Sequence, residues 1–341
     1  MTPRMIIPAR TAGRIVSRDE MQLVYDQVKT PHKVGVILRG DENQVVDGPI
    51  VYRHDERWFM RYISSTNKVG YETFLATSDD LIHWTTLGKV LSFRESGWDK
   101  WQASAGMALQ DTAWGGSYQL QTHDGQYWLG YMAGERQGYE TDPLSIGMAH
   151  TDDPSQPREW TRVPQNPVLS PADPDVREFE SVTLYKTNIV RDPERSLGYS
   201  FVMFYNGKNS AGCERIGMAV SDDMICWHRY GHEPVIANGK TSTWHISGNP
   251  QVTRIGDVWV MFYFGAFWKP KAFDTFACSY DLVTWTKWEG ESLVAPSEDW
   301  DRDFAHKPWL IKHDGIVYHF FCAVGSVGRV IALATSEPKR F

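Results

Sequence analysis

The chain has 341 residues, of which 42% are hydrophobic and 23% charged, ordinary values for a globular protein with a substantial core. The formal net charge of −7, with no basic run, argues against nucleic acid and anionic membrane as partners. No apolar stretch approaches the roughly 20 residues that a membrane span needs, and the first ten residues lack the apolar centre of a secretory leader, so a cytoplasmic location is expected.

From the N-terminus, residues 17–29 read as a short helix outside the main body, opened by Ser17 as cap. Residues 33–38, Lys-Val-Gly-Val-Ile-Leu, read as a lone strand. A phrase then recurs, in which a small residue and a turn acid lead to a tryptophan. It runs Ser78-Asp79-Asp80 to Trp84, Thr151-Asp152-Asp153 to Trp160, Ser221-Asp222-Asp223 to Trp227, and Ser279-Tyr280-Asp281 to Trp285, with a truncated copy at Ser336-Glu337-Pro338. The leading residues are 57 to 73 apart, the spacing of one supersecondary unit used repeatedly. Each copy closes three short β-branched and aromatic runs, so the expectation is an all-β, five-bladed propeller forming one catalytic domain. Its blades fall near 41–91, 99–170, 175–237, 244–295 and 302–336. The last blade lacks an outer strand; residues 33–38 would supply it and close the ring. The 111–118 insertion in the second blade fits a lid or an oligomer contact equally well.

Aligning the first strand of each unit on its apolar start puts Asp47, Ser104, Glu180, Gly248 and His306 at one depth around the axis. Carboxylates converging in a ring are costly unless they act or are paired. Glycosidic cleavage needs such a pair, one carboxyl protonated and one ionised. Glu178, two residues before Glu180, would share its face on a strand, and either of the two fits the acid. Tryptophans in the loops before these strands, Trp98, Trp244 and Trp300, are candidates to stack on sugar faces, with Asp99, His245 and Asp303 beside them. Glu135, Arg136 and Lys307 are further candidates for contacts to hydroxyls. The excess of aromatics, 15 each of Trp, Tyr and Phe, fits that reading. Cys213, Cys226, Cys278 and Cys322 lack CxxC spacing and read as reduced, mostly buried thiols.

An Asp opening the first blade, a Glu opening the third and a His in the fifth resemble the five-bladed propeller glycosidases. The resemblance is to family 43, with fructan hydrolases and family 130 mannoside phosphorylases more distant. It implies Asp47 as base or nucleophile, Glu180 as acid, and His306 over an axial water or calcium, with no cofactor required. Family 43 carries a further Asp in the second blade. Here Ser104 stands in that place, leaving the role open to Asp99, Glu178 or Asp303. The expected substrate is an oligosaccharide taken exo-wise into an axial pocket. Two alternatives stand beside hydrolysis. One is phosphorolysis, which needs an anion site from Lys307, Arg136, Lys208 or Arg302; the other is a non-catalytic sugar-binding ring.

Overall fold

The structure is a computed structural model describing residues 6–11, 13–239 and 244–338. Helix α1 (Arg18–Val28) starts where the capping signal predicts. Ser17 accepts from the Glu20 amide, Glu20 reaches back to the Ser17 amide, and Met21, Val24 and Val28 turn inward. Strand β1 (His32–Leu38) follows.

The rest is a series of antiparallel meanders. The first comprises β2 (Gln44–His54), β3 (Arg57–Thr66), β4 (Glu72–Ser78) and β5 (Thr85–Leu91). The next contains β6 (Ser104–Ala105), β7 (Met107–Ala108), β8 (Tyr127–Ala133), β9 (Ser145–Thr151) and β10 (Thr161–Arg162). Then come β11 (Thr183–Arg191), β12 (Phe201–Lys208), β13 (Glu214–Ser221) and β14 (His228–Arg229). These are followed by β15 (Ile246–Ile255), β16 (Val258–Ala266), β17 (Ala272–Ser279) and β18 (Thr286–Lys287). Strands β19 (Phe304–His313), β20 (Ile316–Gly325) and β21 (Gly328–Thr335) end the series, and β1 pairs antiparallel with β21, from His32 opposite Thr335 to Leu38 opposite Ile331. The opening strands lie side by side: β7 pairs with β11, β11 packs on β15, β15 on β19, and β19 on β2. Middle strands are buried along nearly their whole length, as in β16, because neighbouring sheets cover both faces.

The recurrent turn is built by its acid. Asp223 Oδ1 accepts from the Ile225 and Cys226 amides at 2.9 and 2.7 Å and holds Met224 in the left-handed region at φ 63°. That fold-back lets Trp227 Nε1 donate to the Met224 carbonyl at 2.9 Å and bury its ring. Asp80 and Asp281 do the same for Leu81 and Leu282, at φ 67° and 65°.

The 111–118 insertion is a strap across the far ends of the opening strands. The Thr112 carbonyl accepts from the Arg254 amide at 2.7 Å, the Tyr118 carbonyl accepts from the Arg53 amide at 2.9 Å, and the Tyr118 hydroxyl accepts from the Lys312 amide at 2.8 Å. Trp114 packs on Phe262 at 5.9 Å between ring centroids.

The turn acids set a stability expectation. Asp223→Ala should lower unfolding free energy by about 1–2 kcal/mol, because two amides and a left-handed methionine lose their anchor. A chemical-denaturation midpoint equal to wild type would show that the turn holds without its acid.

Candidate active site

Strands β2, β11, β15 and β19 each slip register at one place, between Asp47 and Ile50, Tyr185 and Asn188, Gly248 and Gln251, and His306 and Trp309. An extra residue there must turn left-handed. Those residues are Gly48 (φ 57°), Lys186 (55°), Asn249 (57°) and Lys307 (61°). Left-handed lysines are strained, and strain of this kind gathers at functional sites. All four line one small cavity of about 30 Å³ with Ser104, Ala105 and Gly106 of the second meander. The opening strands therefore converge, and they present two lysines at equivalent positions.

Asp47 is fully buried beside them. Its Oδ2 accepts from Lys307 Nζ at 2.5 Å, Arg329 Nη1 at 2.9 Å and the Tyr71 hydroxyl at 3.1 Å, and its Oδ1 accepts from the Gly48 amide at 2.7 Å. Burial alone would raise this carboxyl's pKa, but Lys307 and Arg329 outweigh it and hold it well below the usual range. In return Asp47 keeps buried Lys307 charged. Above this base stands Glu140, on the loop between β8 and β9, with its side chain 17% exposed. Its Oε1 lies 3.5 Å from Lys186 Nζ and 3.6 Å from Lys307 Nζ, and no donor among the described residues completes a hydrogen bond to it. Burial pushes Glu140 up, yet the two lysines keep it below the ordinary glutamate range.

Glu214, the first residue of β13, faces the same lysine. Asn206 Nδ2 donates to its Oε2 at 3.1 Å, while Asn206 Oδ1 accepts from the Asn249 amide at 2.8 Å. The second bond fixes the amide so that its NH2 must face Glu214. The Tyr185 hydroxyl also bonds Glu214, and its pKa is pushed well above normal by burial and by the charges of Glu214 and Glu140. The arrangement thus brings Asp47, Lys307, Glu140, Lys186, Tyr185 and Glu214 into one constellation, with two carboxylates flanking one lysine–tyrosine pair. Sequence reasoning located Asp47, Lys307 and His306 but missed Glu140, Glu214 and Lys186. The available signal was Lys186, a charge inside an apolar run at the register of Lys307.

Glu180 lies elsewhere. The third meander opens at Thr183, and Glu180 ends a 3-10 turn (Glu178–Glu180) ahead of it. Tyr185, not Glu180, holds the register position of Asp47. The Glu180 side chain is 0% exposed, one oxygen bonded by Arg229 Nε, the other by Arg177 Nη2 and the Tyr205 hydroxyl, both at 2.8 Å. Burial would raise its pKa, but Arg177 and Arg229 hold it below normal. Glu178 is exposed and accepts from Asn209 at 2.9 Å.

The remaining candidates divide. Trp98 packs on Tyr131 at 5.6 Å, and Trp300 packs on Phe321 at 6.1 Å with Lys33 over its ring. Asp99 is buried, accepting from Arg162 at 2.9 Å and the Tyr131 hydroxyl at 3.1 Å. Ser104 lines the axial cavity and His245 is buried, whereas Asp303, Glu135 and Arg136 are exposed, Arg136 bonding the Asp142 carbonyl at 3.0 Å. Trp244 alone among the described tryptophans projects strongly, at 57% exposure.

Asp47, His306 and Cys322 offer ligand atoms within 4.8 Å of one another. They do not fit calcium, which takes six to eight oxygens. Arg329 Nη1 already sits among them, 2.9 Å from Asp47, 3.3 Å from His306 Nε2 and 3.5 Å from Cys322 Sγ. Burial, with Arg329 and Lys307 nearby, holds His306 well below its usual pKa; the neutral ring donates Nδ1–H to the Cys322 carbonyl and accepts at Nε2.

Among solved structures, this protein is similar to BT0996 in its complex with an RGII oligosaccharide, at 44% identity and TM-score 0.90, covering 96% of this sequence and 98% of that one. It is equally similar to a structure named "Glycoside hydrolase", at 43% identity and TM-score 0.90, with 95% and 96% covered. A thermostable family-43 glycoside hydrolase shares the fold at 16% identity and TM-score 0.63, over 91% of this sequence and 97% of that one. No protein-family model and no curated protein matches.

Glu180→Gln should destabilise the protein by about 3–5 kcal/mol, since it leaves two buried guanidinium groups short of a counter-charge. Because its pKa is depressed in the folded state, the stability Glu180 contributes is complete above the unfolded-state glutamate range and lost as pH falls through the folded value. The difference in melting temperature between wild type and variant should therefore shrink on acidification. A constant difference from pH 7 to pH 3 would contradict the assignment.

Proposed function

This protein belongs to the glycoside hydrolases, and from that premise we propose that Glu140 and Glu214 are its catalytic carboxyl pair. The observation that carries this is their shared position: both flank Tyr185 and Lys186 at the open end of the axis, and both keep some access to solvent. Asp47 and Glu180, the pair expected from sequence, have every oxygen engaged in the interior. In this reading Asp47 holds Lys307 and Arg329 in place, and Glu180 ties the third sheet to Arg177 and Arg229. The lysines orient sugar hydroxyls and stabilise charge on whichever carboxyl is ionised. One carboxyl donates a proton to the leaving oxygen while the other attacks, or activates water, on the opposite ring face.

The architecture proposed is a five-bladed propeller in a single domain, closed by β1 on β21. Its support is the β1–β21 pairing and the cavity that opening strands of every meander line. Exo-action is favoured because the 111–118 strap crosses the end opposite Glu140, which makes the site a blind pocket. The substrate proposed is an RGII oligosaccharide, by similarity to the BT0996 complex at 44% identity. Hydrolysis is preferred over phosphorolysis because the available cations are already matched by carboxylates, Lys307 by Asp47 and Lys208 by Asp142 at 2.7 Å.

Glu140→Gln and Glu214→Gln should each lower turnover of this oligosaccharide by about 10³-fold or more while shifting the melting temperature by only a few degrees. The variant lacking the proton donor should keep most of its rate on an aryl glycoside with a good leaving group, which separates the two roles. Full activity in either variant would remove that residue from the pair.

Asn206→Asp should also be informative. It replaces a donor to Glu214 with a second carboxyl, so the limb of the pH–rate profile belonging to Glu214 should move to higher pH. A profile superimposable on wild type would mean that Glu214 does not titrate in catalysis.

A further inference from the structure

Large apolar side chains held in water need a reason, and two of the most exposed are in contact here. Trp244 (57% exposed) and Phe267 (43% exposed) stack with centroids 4.2 Å apart and planes at 21°. Their exposure is imposed by the backbone. Phe267 sits at φ 68° on the turn between β16 and β17, a strained conformation for an aromatic residue. Its neighbour Trp268 goes the other way, donating to the Ile246 carbonyl at 2.9 Å and packing edge-on to Phe273 at 4.8 Å. The turn therefore buries one aromatic and holds the next one out.

The stacked pair adjoins the catalytic end. A Cβ on Gly212, two residues before Glu214, would stand 3.1 Å from the Trp244 ring, and the Glu214 amide donates to the His245 carbonyl at 2.9 Å. On the other side Phe267 meets Phe304 at 6.4 Å, and Phe304 meets His306 at 5.6 Å, beside Arg329 and Asp47. A line of aromatic faces thus runs from solvent to the axial cluster.

We infer that Trp244 and Phe267 form a stacking platform for the part of the saccharide beyond the bond that is cut, holding the leaving-group side by the apolar face of a sugar ring. The inference rests on the substrate reading above. It makes the enzyme selective for oligosaccharides over single glycosides, because only a longer substrate reaches from Glu214 to the platform.

The test is steady-state kinetics of Trp244→Ala, Phe267→Ala and Trp244→Phe on the RGII oligosaccharide, with calorimetric binding of the same saccharide in the Glu214→Gln background. Both alanine variants should raise KM and weaken binding about tenfold, with kcat within about twofold, while Trp244→Phe recovers most of the loss. Melting temperatures should stay at the wild-type value, since both rings are exposed. Cleavage with unchanged KM overturns the platform alone. Absence of both binding and cleavage in the wild type overturns the platform together with the substrate reading. Undiminished turnover in Glu140→Gln or Glu214→Gln strikes only the catalytic pair, and the KM comparison still decides the platform.

Discussion

A carboxylate taken wholly out of water must be answered by charge, and Asp47 is the one on which this protein's open end depends. The penalty for burying such an ion is several kcal/mol, and Lys307, Arg329 and Tyr71 meet it together. Satisfying Asp47 fixes much else. Lys307 is held at a left-handed position on β19, Arg329 is drawn in from the β20–β21 turn to stand among Asp47, His306 and Cys322, and His306 is left neutral. Strands from opposite ends of the sequence are joined in this way by matched side-chain charges.

Above that buried layer the site changes character. Glu140 and Glu214 belong to loop and strand-edge positions, keep partial access, and meet Lys186, which the same kind of bulge places on β11. The division has a physical logic. Fully compensated charges below are rigid and inert, while the incompletely satisfied Glu140 oxygen above is free to meet a substrate hydroxyl or glycosidic oxygen. The strap at the opposite end and the aromatic pair at the rim then set what can enter and from which side.

Much of this was legible in the sequence because it is local. Ser17 and Glu20 announced the helix, residues 33–38 announced β1, and the repeated acid-to-tryptophan turn announced the meanders. Asp47, His306 and Lys307 were found because their strands open with a Pro-marked, regular phrase. The third meander defeated the register because Arg177 and Glu180 insert a 3-10 turn before the strand, moving the equivalent position to Tyr185. Glu140 lies on a loop whose path no periodicity reports. Glu214 gains meaning only from Asn206 and Tyr185, contacts made by folding. Trp98 and Trp300 share the spacing expected of mouth residues, yet Tyr131 and Phe321 occupy their faces, a distinction that tertiary packing alone decides.

The central claim is that chemistry occurs between Glu140 and Glu214 rather than between Asp47 and Glu180. The most direct measurement is a crystal structure of the Glu214→Gln variant with the uncleaved saccharide bound. The account predicts the scissile glycosidic oxygen within about 3 Å of one of the two positions and the reacting carbon facing the other, with Glu180 still enclosed by Arg177 and Arg229. A saccharide lying with its scissile bond against Asp47, or reaching Glu180 after those arginines move aside, would contradict it.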